Sequence, residues 1–258
     1  MPATALQHFG QDIARSRAIV AHADPLPRAN PADHLLRSDL LRSAWMFAVG
    51  AIDAYFCDAS TDIVAATIIS KARHQPTVLP DFFYDIRFPI RAILEPYASN
   101  ENWRWRMAAR KMMERENVLS LSAIQTLFNK FFRNGHRFFR DCIPDWIIHD
   151  DARKQVFGIT RAGFMALPKS QRGRAIDTAL RQLEGRYRDL FQRRHDCIHN
   201  CDRPRVAPQP LHLAHTVQKV IQDAEFLVHR CDEHVQKEFR EFLLACGCPA
   251  AIVSQVGY

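Results

Sequence analysis

The stretch 174-RAIDTALRQLEGRYRDLFQRRHDCIHN-200 decides the fold of this chain. Leucine and aromatic side chains recur at helical spacing over its first two thirds, which predicts one long amphipathic helix from about residue 171 to residue 200. The prolines of 203-RPRVAPQP-210 end this helix, because proline cannot continue one. The last turns, 193-RRHDCIHN-200, are unusual for a helix with an apolar face, since they combine two arginines, two histidines and an aspartate.

Helical periodicity extends over most of the remaining chain, and strand-like alternation is scarce. Long helices are predicted at about 5–23, 32–58, 60–73 and 211–245, and shorter ones near 86–95, 101–116 and 120–133. The two long helices late in the chain favour an antiparallel hairpin, and with 32–73 they predict an up-and-down helical bundle. The predicted fold class is therefore all-α, a single domain over 1–258 with an inserted irregular helical region at about 76–165.

The composition indicates the classes of partner and the compartment. The 258 residues are 47% hydrophobic, enough to bury a substantial core, and carry a formal net charge of +7 with a pI of about 9.2. The positive charge favours anionic partners such as RNA, DNA or an anionic membrane surface. Seven cysteines without a CxxC pair indicate a reducing cytoplasm. The longest apolar run, 44-AWMFAVGAI-52, is too short to span a bilayer, so no membrane partner is expected.

Arg194 occupies an unusual position on the long helix. On a helical wheel it lies at the centre of the apolar stripe, whose other members are Leu183, Tyr187, Leu190, Phe191 and Ile198. A guanidinium there cannot lose its proton, and an unpaired buried charge costs several kcal/mol. Arg194 therefore needs an acidic partner on a facing helix, a wet cleft, or an interface with an anion.

His195 and His199 lie one helical turn apart on the flank of the same stripe. The spacing from Arg194 to His199 carries little information by itself, because 28 arginines and 12 histidines in 258 residues produce about one such pair by chance. A second copy, 17-RAIVAH-22, has the character of an ordinary surface helix end. Only the surroundings of Arg194 make its copy unusual. The simplest alternative is a solvated pair of histidines beside an arginine that is paired with an acid.

The segment 195-HDCIHNC-201 also raises the question of a metal site. It contains two histidines and two cysteines, but the two pairs lie on different faces of the helix. One helix cannot direct all four side chains at a tetrahedral ion, and no second ligand cluster stands out in the sequence. We therefore expect neither a metal ion nor another cofactor.

The motif and its surroundings resemble a known superfamily. The chain is predicted to be an all-helical bundle, and its penultimate long helix ends in the pattern R-[polar]-x3-H. This combination is similar to the HEPN superfamily. The segments 193-RRHDCIHN-200 and 42-RSAWMFAVGAIDAYFCD-58 resemble its RiboL-PSP-HEPN branch. The resemblance covers about 32–73 and 171–245, and places His195 where the superfamily most often has asparagine.

The resemblance implies a metal-independent endoribonuclease that works as a homodimer, with two motifs meeting across the interface. Such an enzyme cleaves RNA by attack of the 2′-OH and leaves a 2′,3′-cyclic phosphate and a 5′-OH. It also implies a toxin or defence-related RNase with an antitoxin or regulatory partner. A non-catalytic helical module that binds RNA or protein on the same basic face is the alternative.

The roles that follow can be assigned to individual residues. His199 is the expected general acid and base, because the ordinary pKa of histidine, about 6.5, suits proton transfer at neutral pH. Arg194 is expected to stabilise the phosphate in the transition state, and His195 to assist in positioning or proton transfer. Asp53, in 51-AIDAY-55, is either an orienting partner or a solvated carboxylate. Arg193 is either a phosphate contact or a solvated neighbour.

The segment 130-KFFRNGHRFFR-140 interleaves aromatic and cationic side chains. Such a pattern suits single-stranded RNA, which binds through base stacking and charge, and Arg133, Arg137 and Arg140 are the candidate contacts. The pattern is equally typical of two helix ends with phenylalanine directed inward and arginine outward, and we favour this second interpretation.

Overall fold

The computed structural model describes residues 4–27, 30–88, 90–94, 101–113, 116, 118–132, 135–199 and 213–256. All regular structure in these residues is helical, which confirms the all-α class. The helices are α1 (Ala5–Ala23), α2 (Pro31–Arg73), α3 (Asp81–Tyr84), α4 (Ile90–Leu94), α5 (Glu101–Met113), α6 (Leu121–Phe128), α7 (Phe138–Ile148), α8 (Lys154–Phe157), α9 (Arg161–Met165), α10 (Lys169–His199), α11 (Ala214–Ala245) and α12 (Ala250–Val253). A 3-10 turn, Asn129–Phe131, follows α6.

Helix α2 is continuous, so the predicted division into 32–58 and 60–73 is wrong. Its start is fixed by the Asn30 side chain, which accepts a hydrogen bond from the Ala32 amide at 3.0 Å. At the predicted boundary, Thr61 donates its hydroxyl to the Cys57 carbonyl at 2.8 Å within the same helix. Such bonds satisfy polar side chains without interrupting the helix.

Helix α2 is also long and apolar enough to cross a membrane by length and composition alone. The buried core helices of soluble proteins meet the same criterion, and half of its most apolar window is buried inside this protein. Helices α1, α5, α10 and α11 all pack against it. The helix thus forms the centre of the bundle.

The buried apolar side chains form one continuous cluster. The middle region contributes to it with large aromatic side chains that are 5% exposed or less, namely Phe128, Phe138, Phe139, Trp146 and Phe157. The region at 76–165 therefore shares the core of the long helices. A hairpin is predicted between α10 and α11. The residues of its predicted turn, 200–212, lie outside the described residues.

The contact of α8 and α10 with α11 is centred on Asp223. This carboxylate is fully buried and accepts two hydrogen bonds from the Arg186 guanidinium, at 2.8 and 2.7 Å, and one from Gln155 at 2.5 Å. Tyr187 donates its hydroxyl to the Asp223 backbone carbonyl at 2.7 Å. Charge-assisted bonds of this kind hold the buried carboxylate in place.

Replacement of Asp223 with alanine is expected to lower the free energy of unfolding by about 3 kcal/mol, because it leaves the half-buried Arg186 guanidinium without its partner. Urea denaturation monitored by circular dichroism measures the change. Asp189→Ala is the matched control: Asp189 is an exposed aspartate on α10, the helix of Arg186, so its loss should change stability by less than about 0.5 kcal/mol. Equal stability of the two variants would contradict this role for Asp223.

Candidate functional site

A cleft of about 680 Å³ opens along the C-terminal half of α10. Helix α10 forms one wall, the start of α6 forms the other, and Phe139 of α7 contributes an apolar patch. The lining residues are Leu119, Ser120, Leu121, Ser122, Gln125, Phe139, Glu184, Arg188, Phe191, Gln192, Arg194, His195 and His199. Three of the predicted site residues, Arg194, His195 and His199, therefore share one cavity.

Arg194 lies half-buried in this cleft, and its Nε is buried without a hydrogen-bond partner. No described side chain forms an ion pair with its guanidinium. The other copy of the motif differs in this respect, because Arg17 is bound to Glu225 at 2.6 Å. Of the three environments expected for Arg194, the structure shows the wet cleft.

Asp53 of α2 interacts with Arg194 through the opposite charges of the two side chains. Burial raises the pKa of Asp53, whereas the hydrogen bond from the Val118 amide and the nearby charge of Arg194 lower it. The Val118 amide donates to Asp53 Oδ1 at 3.0 Å. Asp53 is thus a half-buried carboxylate, rather than a solvated one, and it fixes the segment that leads into the opposite wall of the cleft.

The two histidines are exposed and lie against one another. The ring centroids of His195 and His199 are 4.3 Å apart, with 43° between the ring planes. Ile198, between them in sequence, was expected in the buried stripe but is 45% exposed. This expectation is wrong because the described packing of α10 against the bundle ends near Cys197, the last buried residue of the helix.

Three of the other cations predicted to bind RNA are described, and none of the three is among the described residues that line the cleft. Arg193 is half-buried. Arg140 is exposed and faces Asp177 of α10 at 3.7 Å, while Arg137 is exposed at the start of α7. Arg133 lies outside the described residues.

The phenylalanines of 130-KFFRNGHRFFR-140 are directed inward. Phe131, Phe132, Phe138 and Phe139 are 5% exposed or less, so their ring faces are not free to stack on bases. The aromatic part of the RNA-binding interpretation of this segment is therefore wrong, and the inward-phenylalanine interpretation is confirmed.

Several cleft residues had not been predicted. Glu184, Arg188 and Gln192 precede His195 and His199 at intervals of three or four residues, so all five lie on one face of α10. Extending the face of the two histidines backward along the helix would have found them. Ser120, Ser122 and Gln125 belong to the opposite wall, and no local pattern in the sequence connects α6 with α10.

The N-terminus of α6 lies at the cleft, where Ser120, Leu121 and Ser122 form part of the lining. Ser120 caps this helix by accepting a hydrogen bond from the Ala123 amide at 3.0 Å, and its hydroxyl lies 3.0 Å from that of Ser122. Helix N-termini favour negative charge. Helix α10 adds the cations Arg188 and Arg194 to the lining, and Glu184 is the single carboxylate among the described lining residues. The cleft as a whole therefore favours an anionic ligand.

No family model, no curated protein and no solved structure matches the chain. The side chains of the cleft nevertheless define a chemistry of their own. Two imidazoles can transfer protons near neutral pH, and a guanidinium can bind phosphate oxygens through paired N–H groups. Their combination in one open cleft suits proton transfer beside a phosphate.

Proposed function

We propose that this chain is an endoribonuclease whose cleavage step needs no metal ion. The observation that carries the proposal is the placement of Arg194 in one cleft with His195 and His199, its buried Nε unpaired among the described residues. A buried N–H group without a partner is unfavourable unless a ligand supplies an acceptor. A phosphate of RNA supplies such an acceptor and also the nucleophile, its neighbouring 2′-OH.

The cleavage chemistry follows from three side chains. His199 removes the proton of the 2′-OH, whose oxygen then attacks the adjacent phosphorus. Arg194 stabilises the additional negative charge of the pentavalent phosphorane. A second imidazole protonates the departing 5′-oxygen, which leaves a 2′,3′-cyclic phosphate and a 5′-OH. Asp53, whose charge interacts with that of Arg194, is the residue that we assign to orienting the guanidinium.

The second imidazole has two alternative sources. His195 lies beside His199 in the same chain, 4.3 Å away between ring centroids. In a homodimer, His199 of a second copy would serve instead, as the resemblance to the HEPN superfamily implies. We propose the homodimer, because Ile198 presents an exposed apolar side chain beside the cleft that a second copy would cover.

Replacement of Ile198 with aspartate is expected to shift the protein toward monomer and to reduce RNA cleavage, because it places a charge in the proposed interface. Light scattering coupled to gel filtration, at micromolar protein, measures the mass. Ile148→Asp is the matched control: Ile148 is also a partly exposed isoleucine, on α7, and should leave both properties unchanged. A monomeric wild-type protein with full activity would instead assign both proton transfers to one chain.

The biological role that we propose is that of a toxin or defence-related RNase, held in check by an antitoxin or regulatory partner. The alternative is a helical module that binds RNA or protein through the same cleft without cleaving. The basic lining would favour RNA in either case, so binding alone does not distinguish the two functions. Only bond cleavage at the phosphate separates them.

Incubation of a mixed RNA pool with the purified protein, with EDTA in the reaction, tests the proposal. We expect fragments with 2′,3′-cyclic phosphate and 5′-OH ends, identified by end-specific ligation and sequencing. RNA that is bound but remains intact would favour the non-catalytic module. Fragments with 5′-phosphate ends would contradict the 2′-OH mechanism.

A further inference from the structure

A second cluster of polar side chains lies at the junction of α7 and α11, away from the cleft. His136 comes from the turn before α7, Cys142 from α7 and His234 from α11. One ligand atom from each side chain lies within 4.8 Å of the others, and the Nε2 atoms of the two histidines are 2.9 Å apart. His136 and Cys142 are six residues apart, whereas His234 is distant from both in sequence and joins them only in the fold.

An aromatic shell fixes both imidazole rings. Phe132 packs edge-on against His136 and His234, with centroid distances of 5.0 and 5.7 Å, and Phe138 stacks on His234 at 5.4 Å. The side chain of His136 is only 7% exposed, and Cys142 is buried. Rings held in this way retain their orientation when a ligand binds, which is a requirement of a preformed metal site.

An acidic residue, Asp141, lies beside the Nδ1 nitrogen of His136. Its Oδ2 is 3.3 Å from Nδ1 and accepts a hydrogen bond from the Arg137 amide at 2.8 Å, while His136 Nε2 faces His234. A carboxylate behind a histidine in this manner is a recurring feature of zinc sites, where it orients the ring and increases its basicity.

We propose that His136, Cys142 and His234 bind a zinc ion through two Nε2 atoms and Sγ. Imidazole nitrogen and thiolate sulfur are the ligands that zinc prefers, whereas calcium and magnesium prefer oxygen. With zinc–nitrogen bonds of about 2.0–2.1 Å in a tetrahedral site, the two nitrogens stand roughly 3.3 Å apart. The rings therefore need to separate by only a few tenths of an ångström.

Metal binding requires a neutral imidazole and a thiolate. Burial, aided by the neighbouring His136, lowers the pKa of His234 to about 4. Burial raises the pKa of the Cys142 thiol, which opposes the loss of its proton to zinc. These three side chains leave the fourth position of a tetrahedral site to a water molecule.

The zinc would connect the turn before α7 to α11 and thereby hold the part of α7 that carries Phe139. None of the three ligands lines the cleft at Arg194. The zinc site is thus separate from the cleft, and its existence does not depend on whether the cleft cleaves RNA.

Metal analysis of the full chain, purified from zinc-supplemented cells, tests the proposal. We expect one zinc ion per chain by mass spectrometry, and at least about tenfold weaker binding in Cys142→Ser and in Asp141→Asn. Asp141 is exposed, so its variant keeps the fold. Cys57→Ser, at a half-buried cysteine on α2, is the matched control and should retain the zinc.

Cobalt substitution supplies a second measurement that does not depend on stability. The cobalt protein should show the near-ultraviolet charge-transfer band of a thiolate ligand, and Cys142→Ser should lose it. A folded wild-type protein that takes up no zinc from a buffered zinc solution would overturn the proposal and leave a hydrogen-bonded histidine pair. Retention of the thiolate band in Cys142→Ser would also overturn it.

Discussion

Replacement of His199 with alanine is expected to reduce RNA cleavage by a factor of about 10² to 10⁴, the usual contribution of a general acid or base. His199 lies at the end of α10 in the same cleft as Arg194, and its exposed ring can reach the 2′-OH of a bound nucleotide. Single-turnover cleavage of a fluorescent RNA, with wild-type and variant protein at equal concentrations, measures the change.

His22→Ala is the matched control for this experiment. His22 also follows an arginine by five residues and is also exposed near the end of a helix, but Arg17 is already bound to Glu225. The control should cleave as the wild type does. Equal loss in the two variants would show that the cleavage does not depend on this cleft, and unchanged cleavage in His199→Ala would contradict the role of that residue.

Replacement of Arg194 with alanine is expected to reduce cleavage by about 10² to 10³, because the transition-state phosphorane loses a donor that the protein holds in place. Lysine at this position should restore only part of the activity, since a single ammonium cannot form the paired hydrogen bonds of a guanidinium. The rate under saturating RNA is the relevant measurement, because the lost interaction strengthens in the transition state.

The same substitution has a second, opposite consequence for stability. Arg194 has a buried Nε without a partner among the described residues, so Arg194→Ala should leave the free energy of unfolding unchanged or raise it. Arg186→Ala, on the same helix, should lower it, because that guanidinium is bound to buried Asp223. If Arg194→Ala destabilised the protein as much as Arg186→Ala, Arg194 would be a structural residue instead.

Much of the fold is predictable because helix formation depends on local patterns. The predicted first helix, 5–23, agrees with α1, where Thr4 and Gln7 form a capping box that ties the start of the helix to local sequence. The break predicted near residue 59 is wrong, since whether polar side chains interrupt a helix depends on partners that periodicity does not specify. The Thr61 hydroxyl, for example, donates to the Cys57 carbonyl one turn earlier in the same helix.

The candidate site is predictable only on its α10 side. The helical wheel indicates that Arg194 interrupts an apolar stripe and that two histidines flank it, since all three belong to one helix. The serines at the start of α6 join them through tertiary packing. Likewise, His136 and His234 are 98 residues apart, and no spacing rule connects them. Residues that meet across elements are the ones that sequence periodicity misses.

The single core that unites 76–165 with the long helices has a consequence for how the chain can be divided. Phe128, Phe138 and Phe157 from that region fill the interior beside residues of α2 and α11, so removing the region would expose the apolar faces of both helices to water. The long helices alone are therefore not an autonomous folding module. Truncation or domain transplantation must therefore keep this region together with the long helices, and a substitution of a buried α7 residue such as Phe139 reaches the cleft through shared packing.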